Sequence, residues 1–241
     1  MNASVGPFSN AARNLSQIGR SRACWLMVAV VFAVHLAVTA AGIGRSLNGW
    51  YELLGLSREG VVAGRFWQVA SHGLLHGSWF HLGLNCLFVL LIGSRIEHMT
   101  GSGGVLRTLV AGVLGGGAAH LLLGSGLLVG LSGGCMALLL MLTTLSPQSR
   151  MMPVPVSARS LGLGVMIAEM ILTLINPGLG LPGLSQIGNL LVKLGCGSWF
   201  DLGHACHVGG GIAGWLLARW VLRPRVSLDS LRRARARREA R

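Results

Sequence analysis

The stretch Gly130-Leu131-Ser132-Gly133-Gly134 opens an apolar run that continues to Thr144. Glycines around a serine let the backbone turn sharply and leave the serine hydroxyl and N–H accessible. The same small residues let a neighbouring helix approach closely, as is common between membrane helices. The stretch alone therefore predicts either a packing seam or a nucleophile, and the rest of the chain decides between them.

The composition is that of a membrane protein. Of 241 residues, 52% are hydrophobic and 11% charged, whereas soluble domains carry about a quarter charged residues. The net charge of +13 gathers at the ends and in loops, so we predict no nucleic-acid partner. The five cysteines lack regular spacing and give no disulfide framework. Neither CxxC nor HExxH occurs, and we predict no metal or cofactor.

Six apolar runs predict an all-α protein of six transmembrane helices. They cover residues 23–43, 79–97, 104–124, 131–144, 160–175 and 203–222. A cleaved signal peptide is the alternative for the first run, but its length favours a retained helix. Between the first two runs, the aromatic-rich segment 45–78 is typical of the membrane interface.

The basic residues predict the topology. An even number of spans puts both termini on one side, and the cytoplasmic assignment collects all the basic residues except Arg45, Arg58, Arg65 and Lys193. We therefore predict a cytoplasmic tail at 1–22, a six-helix core at 23–222 and a basic cytoplasmic tail at 223–241. The arginines of the last segment favour binding to anionic lipid headgroups.

Polar residues of three runs fall near the same predicted membrane face. His81 and Asn85 are four residues apart on one face of the second helix. Ser132 opens the fourth helix, and His204 and His207 lie in the first turns of the sixth. Because polar groups inside a bilayer are costly, this shared depth predicts that they meet for a purpose.

A stripe of small residues predicts how two of these helices pack. The sixth run places four residues at i, i+3, i+4 and i+7, namely His207, Gly210, Gly211 and Gly214. The fourth run offers Gly133 and Ala137 beside Ser132. Close packing of these faces brings His207 towards the Ser132 hydroxyl, and an imidazole is a suitable base for a serine nucleophile.

The chain resembles the rhomboid intramembrane serine proteases over about residues 23–222. The resemblance rests on three motifs in the expected runs: His76-x4-His81-x3-Asn85, Gly130-x-Ser132-Gly133 and His207-x2-Gly210-x3-Gly214. Each motif is weak alone, and their order and span positions make the combination specific. Glu97, at the end of the second run, matches a glutamate that the family often has there.

The resemblance implies a function and roles for the site residues. Ser132 is the nucleophile and His207 its base, in a dyad without a third carboxylate. His81 and Asn85 form the oxyanion site, supported by His76 as a structural hydrogen-bonder and by the glycines at 130 and 133. The implied activity is cleavage of transmembrane segments of membrane-protein substrates near the outer membrane face. A compact core of this kind resembles bacterial members, which implies a multi-pass protein of the plasma (inner) membrane.

The chain departs from the family pattern at two positions. The first outer loop has Trp67-Gln68 where the family often has Trp-Arg. Met136 stands four residues after Ser132, where many members place an aromatic side chain that packs on the histidine. A flexible Met orients a ring less firmly, so we expect His207 to be supported in another way.

Three further features have competing interpretations. His204, one turn before His207, is the rival base, although the motif spacing favours His207. A carboxylate inside an apolar run is costly; we expect Glu169 to be structural, because the midpoint of its run lies deeper than the serine. The glycine- and proline-rich segment 176–202 is either a mobile cap over the site or an ordinary outer loop.

Two other functions are weighed against the protease. One is an inactive rhomboid-like protein that binds transmembrane clients, although the serine and the histidine are both present. The other is a metal-binding or transport protein, since imidazole and thiolate can hold zinc or copper. Its ligands would come from six residues: His72, His76, His81, His204, His207 and Cys206. Such a site leaves Ser132 and the glycines unexplained.

Overall fold

The computed structural model describes residues 16–42, 47–151, 156–223 and 228–239. In order, the helices are α1 (Arg22–Ala41), α2 (Leu47–Leu54), α3 (Arg58–Val62), α4 (Gln68–Ser71), α5 (Trp79–Phe88), α6 (Ser94–Thr100), α7 (Ser102–Leu123), α8 (Ser132–Leu145), α9 (Ala158–Leu174), α10 (Leu184–Leu191), α11 (His204–Val221) and α12 (Leu228–Glu239). A π-helical turn, Val89–Gly93, joins α5 to α6. Two short antiparallel strands, β1 (Arg150–Met151) and β2 (Val156–Ser157), precede α9.

Each of the six predicted runs is helical, with ends within three residues of those expected. Among the described residues, three helices are long and apolar enough to cross a membrane, Arg22–Ala41, Trp79–Thr100 and Ser102–Leu123. The second of these combines α5, the π turn and α6, and α8 is a shorter apolar helix. The chain is thus a helical membrane protein, and the count of six spans and the sidedness of the termini stay predictions.

The two predicted tails are described only in part. Residues 1–15 of the N-terminal tail and Arg45 lie outside the described residues. Of the basic tail, 228–239 form α12, and 224–227 and 240–241 lie outside the described residues.

Helix α8 occupies the centre of the bundle, buried continuously from Gly133 to Thr143. Its partner α11 packs through the predicted small residues, with Gly210 against Gly133 and Gly214 against Ala137. Gly211 faces two helices, because a Cβ there would be 2.9 Å from Cε of Met166 in α9 and 3.4 Å from Cδ2 of Leu140 in α8. The stripe is wider than one contact, so neighbouring positions on it face different helices.

Helix α7 makes a second close contact with α11 that the sequence did not predict. A Cβ on Gly115 would be 2.8 Å from the Cβ of Ala213 and 3.0 Å from the carbonyl oxygen of Gly209. Because glycine carries no side chain, the two backbones approach directly. Helix α11 is thus wedged between α7 and α8, which fixes the position of its first turn.

The segment before α5 is held by hydrogen bonds to backbone carbonyls. The fully buried Gln68 donates from Nε2 to the carbonyl oxygen of Glu52 at 2.8 Å. Trp67 donates from Nε1 to the carbonyl oxygen of Leu53 at 2.8 Å. A neutral amide can satisfy these acceptors without burying a charge. This accounts for glutamine at a position where the resemblance led us to expect arginine.

Glu97 joins the end of α6 to the start of α1. Its carboxylate accepts hydrogen bonds from the backbone N–H of Ala23 at 3.0 Å and of Cys24 at 3.2 Å, and from the Ser102 hydroxyl at 2.6 Å. The first N–H groups of a helix have no partner within it, and a negative charge is favourable there. Glu97 therefore caps α1, whose residues Cys24 and Val31 pack into the core.

The segment 176–202, predicted as a loop, is largely helical. It contains a 3₁₀ turn at Pro177–Leu179, helix α10, a π turn at Val192–Cys196 and a 3₁₀ turn at Gly197–Asp201. Two of its glycines, Gly180 and Gly183, have φ of +65° and +78° and allow the turn between the first 3₁₀ turn and α10. The end of the segment leads directly into α11.

Candidate active site

The predicted nucleophile, both candidate bases and the two predicted oxyanion donors line one cavity of about 590 Å³, whereas the supporting residues His76, Gly130 and Gly133 do not line it. Helix α5 contributes His81 and Asn85, α8 contributes Ser132, and α11 contributes His204 and His207. The cavity also has walls from α7, α9 and the end of the 176–202 segment, represented by His120, Thr173 and Phe200. A cavity of this size with a few convergent polar groups is typical of a ligand or substrate site.

Ser132 is the first residue of α8, at the end of a glycine turn. Gly130 has φ of +123°, and its N–H donates to the carbonyl oxygen of His72 at 2.9 Å. A Cβ on Gly130 would be 2.7 Å from Cε1 of His81, so glycine allows this ring to lie against the turn. As the first helical residue, Ser132 has an N–H that no residue of its own helix can accept.

The side chain of Asn85 is anchored on both sides. Its Nδ2 donates to the carbonyl oxygen of His81 at 3.1 Å, and the Cys135 thiol donates to its Oδ1 at 3.3 Å. The second hydrogen on Nδ2 has no partner among the described residues. Asn85 can therefore offer one amide hydrogen from a fixed position beside the Ser132 turn.

Glu169 connects the two histidines of α11. Its Oε2 lies 2.6 Å from Nδ1 of His204, and its Oε1 lies 3.0 Å from Nδ1 of His207. The His207 contact is off the N–H direction and does not form a linear hydrogen bond. The other His204 nitrogen, Nε2, lies 2.6 Å from the carbonyl oxygen of Trp199. Both His204 nitrogens are thus engaged, whereas Nε2 of His207 has no hydrogen bond among the described residues.

This arrangement changes the interpretation of Glu169. The expected depth separation between Glu169 and the polar cluster is wrong, since the carboxylate touches both histidines. Glu169 lies in the second half of α9, between the middle residue Met166 and the last residue Leu174, about 7.5 Å before the end of the helix at 1.5 Å per residue. The resemblance implies a dyad without a third carboxylate, and that dyad stays a prediction; the structure places the carboxylate of Glu169 beside His207.

Met136 packs in a cluster with Leu139 and Leu140 and with side chains of α9 such as Val165. The support of His207 that we expected from another source comes from Glu169.

Ser132 and His207 line the same cavity without a hydrogen bond between them in the described structure. Catalytic hydrogen bonds commonly tighten only when substrate is bound.

His76 lies behind His81, outside the predicted spans. Its ring packs edge-on against the His81 ring with centroids 5.1 Å apart, and its carbonyl oxygen accepts from the Tyr51 hydroxyl at 2.7 Å. The expected hydrogen bonds of the ring are not made, because neither ring nitrogen has a partner among the described residues. Burial, reinforced by the nearby His81 and His35, lowers the pKa of His76 to about 4.

The structure does not assemble the six-residue metal set considered above. Among the described residues, one group of three potential ligands has its ligand atoms within 4.8 Å of one another, and it comprises Glu169, His204 and His207. Four of the six predicted ligands, His72, His76, His81 and Cys206, are not in it. Cys206 instead packs against Gly116 and Gly133 in the helix seams.

Comparison with known families agrees with the motifs. The sequence profile described as Rhomboid domain matches residues 63–224, more than half of the chain. The chain belongs to the rhomboid family. Rhomboid members are generally intramembrane serine proteases acting on transmembrane substrates. The matched region contains the whole cavity and begins after α1, although α1 packs on the rhomboid core. No curated protein matches the sequence significantly.

Proposed function

We propose that this rhomboid protein is an active intramembrane serine endopeptidase that cleaves transmembrane segments of membrane proteins near the outer membrane face. The observation that carries the proposal is the cavity itself. Three helices contribute to this cavity a serine at a helix N-terminus, a histidine with a free ring nitrogen, and the side chains of His81 and Asn85, which are able to donate hydrogen bonds. Serine acyl transfer requires this set of groups.

His207 acts as the base. A base for Ser132 needs a ring nitrogen with a free lone pair. Both nitrogens of His204 are engaged by Glu169 and Trp199, so His204 has none to offer. Nε2 of His207 takes the proton as Ser132 Oγ attacks the scissile carbonyl carbon.

The oxyanion formed by this attack is stabilised by His81, by the free amide hydrogen of Asn85 and by the N–H of Ser132. These donors are in place before reaction, so they need little reorganisation as charge develops. The tetrahedral intermediate collapses as His207 gives its proton to the leaving amine. A water molecule, activated by His207 in the same way, then hydrolyses the acyl ester on Ser132.

The proposal is tested by labelling detergent-purified protein with a serine-reactive fluorophosphonate. We expect labelling of the wild type, and loss of label in Ser132→Ala and His207→Ala. Label should persist, at a lower rate, in His204→Ala. Each variant is first checked for folding by thermal unfolding. Equal labelling of a folded Ser132→Ala would place the reactive serine elsewhere and contradict the mechanism.

The inactive client-binding protein is distinguished by cleavage. Wild type and Ser132→Ala are reconstituted with a reporter containing a single transmembrane segment, and the products are separated by electrophoresis. We expect fragments with wild type only. Binding of the reporter without fragments, in protein that remains folded, would favour the client-binding alternative.

A further inference from the structure

We infer that Glu169 is the third member of the catalytic group, a positioning residue that holds His207 with its proton on Nδ1, and that His204 in turn fixes Glu169. This inference rests on the proposed protease function. It adds a carboxylate and a second histidine to the serine and the base.

The first step concerns His204. Its two ring nitrogens each lie 2.6 Å from an oxygen, the carbonyl oxygen of Trp199 and Oε2 of Glu169. A carbonyl only accepts, so Nε2 carries a hydrogen. The short Nδ1···Oε2 contact must also contain a proton, since two lone pairs would repel at this distance. His204 and Glu169 therefore form a charge-assisted pair that is largely buried.

The second step concerns the other carboxylate oxygen. With the shared proton between Oε2 and His204, Oε1 has only lone pairs to present to His207 Nδ1 at 3.0 Å. The neutral His207 ring therefore carries its hydrogen on Nδ1, and Nε2 keeps the lone pair that accepts the Ser132 proton. When that proton arrives, the imidazolium forms beside a carboxylate, which stabilises it.

The third step concerns rigidity. His204 is 3% exposed, and its ring is fixed at both ends. His204 therefore restrains the Glu169 carboxylate from rotating towards the cavity or towards water. His204 and His207 are one turn apart on α11, so one carboxylate on the facing helix α9 reaches both. A rotation of the His207 ring aligns its N–H with Oε1, which already lies 3.0 Å from Nδ1.

The histidine tautomers give a direct test in the unmutated protein. Protein carrying ¹⁵N-histidine is studied in detergent by NMR, and signals are assigned by their loss in His207→Ala and His204→Ala. We expect His207 with hydrogen on Nδ1 and a bare Nε2, and His204 with both nitrogens protonated or sharing the Nδ1 proton. His207 protonated on Nε2 instead would overturn the inference.

Labelling kinetics give the functional test. Glu169→Gln should slow fluorophosphonate labelling by about 100-fold, within the range that general-base catalysis contributes. Glu169→Asp keeps a carboxylate and should recover part of that loss, which a merely space-filling role would not predict. A folded Glu169→Gln that labels at the wild-type rate would overturn the inference and leave the protease proposal intact. Persistent labelling of Ser132→Ala would instead overturn the protease proposal itself.

Discussion

Gly210 of α11 and Gly133 of α8 are in backbone contact: a Cβ on Gly210 would be 2.7 Å from the carbonyl carbon of Gly133. This contact holds the first turn of α11, with His207, beside the start of α8, with Ser132. It is the helix contact that the stripe of small residues in the sequence predicted.

Gly210→Ala should therefore destabilise the protein. The added methyl group has only backbone to displace, so the helices must separate, and we expect a loss of about 1–3 kcal/mol in the free energy of unfolding. Thermal unfolding in detergent measures the effect as a lower Tm. Gly164→Ala in α9 is the matched control, because a Cβ there meets nothing within 4 Å. Equal Tm values for the two variants would contradict the close seam.

Two glycines before Ser132 allow the effect of backbone strain to be distinguished from the effect of displacing the His81 ring. Gly130 and Gly126 both have positive φ, +123° and +72°. A Cβ on Gly130 would clash with the His81 ring, and one on Gly126 meets nothing within 4 Å. We expect Gly130→Ala to approach the roughly 100-fold loss of activity that follows removal of an oxyanion donor. Fluorophosphonate labelling measures it.

Gly126→Ala carries a strain of about 1–2 kcal/mol for an L-residue at positive φ, without the clash. It should lower the Tm and leave the labelling rate close to that of the wild type. If Gly130→Ala and Gly126→Ala are labelled at the same rate, the activity does not depend on the position of the His81 ring against the turn.

Stability should fall in acid because of His76. Its pKa is about 4 in the folded protein against an ordinary value of 6.5. Between these pH values the unfolded chain binds a proton that the native protein excludes, so stability is lost as the pH falls. The loss attributable to His76 is at most about 3 kcal/mol. Unfolding at several pH values should show a shallower acid decline in His76→Phe, and an unchanged slope would show that His76 is not the responsible group.

Glu97→Ala should loosen α1. The variant loses the three hydrogen bonds to Ala23, Cys24 and Ser102, and the loss of such a helix cap costs about 1–2 kcal/mol. The expected result is a lower Tm and faster proteolysis before α1. Glu239→Ala is the control, because its ion pair with Arg235 is exposed and contributes little. A Tm equal to that of the control would contradict the capping role of Glu97.

The sequence was sufficient to predict the helices of the six apolar runs and the gathering of most of the site, but not the shorter helices such as Leu184–Leu191. Long apolar runs and their glycine borders located all six helices, because burial and chain length fix such elements locally. The motif spacings brought Ser132, His207, His81 and Asn85 to one cavity. These predictions depend on residues one or two turns apart, where the period of the helix is a reliable guide.

The position of Glu169 could not be predicted in this way. Its depth was inferred by comparing the midpoint of its run with the position of Ser132, whereas helices in a bundle tilt and start at different heights. A signal was present nonetheless: a carboxylate in an apolar run needs a partner, and two histidines one turn apart on the sixth run were candidates. The contact between Gly115 and Gly209 was missed for a related reason, since glycine-rich faces were available on more than one helix.

The π turn at Val89–Gly93 divides one long helix into two segments, α5 and α6, which present side chains to different parts of the protein. One half presents His81 and Asn85 to the cavity, and the other presents Glu97 to α1. A π turn contains an extra residue, so it rotates everything beyond it by about 100° relative to an uninterrupted α-helix. Deleting one residue there would restore the regular helix and remove the offset together with the residue that causes it, so Glu97 would keep its direction towards α1 and His81 and Asn85 theirs towards the cavity. A single-codon deletion in the π turn is therefore expected to shorten this helix without changing the direction of either end, whereas a deletion elsewhere in the helix would change it.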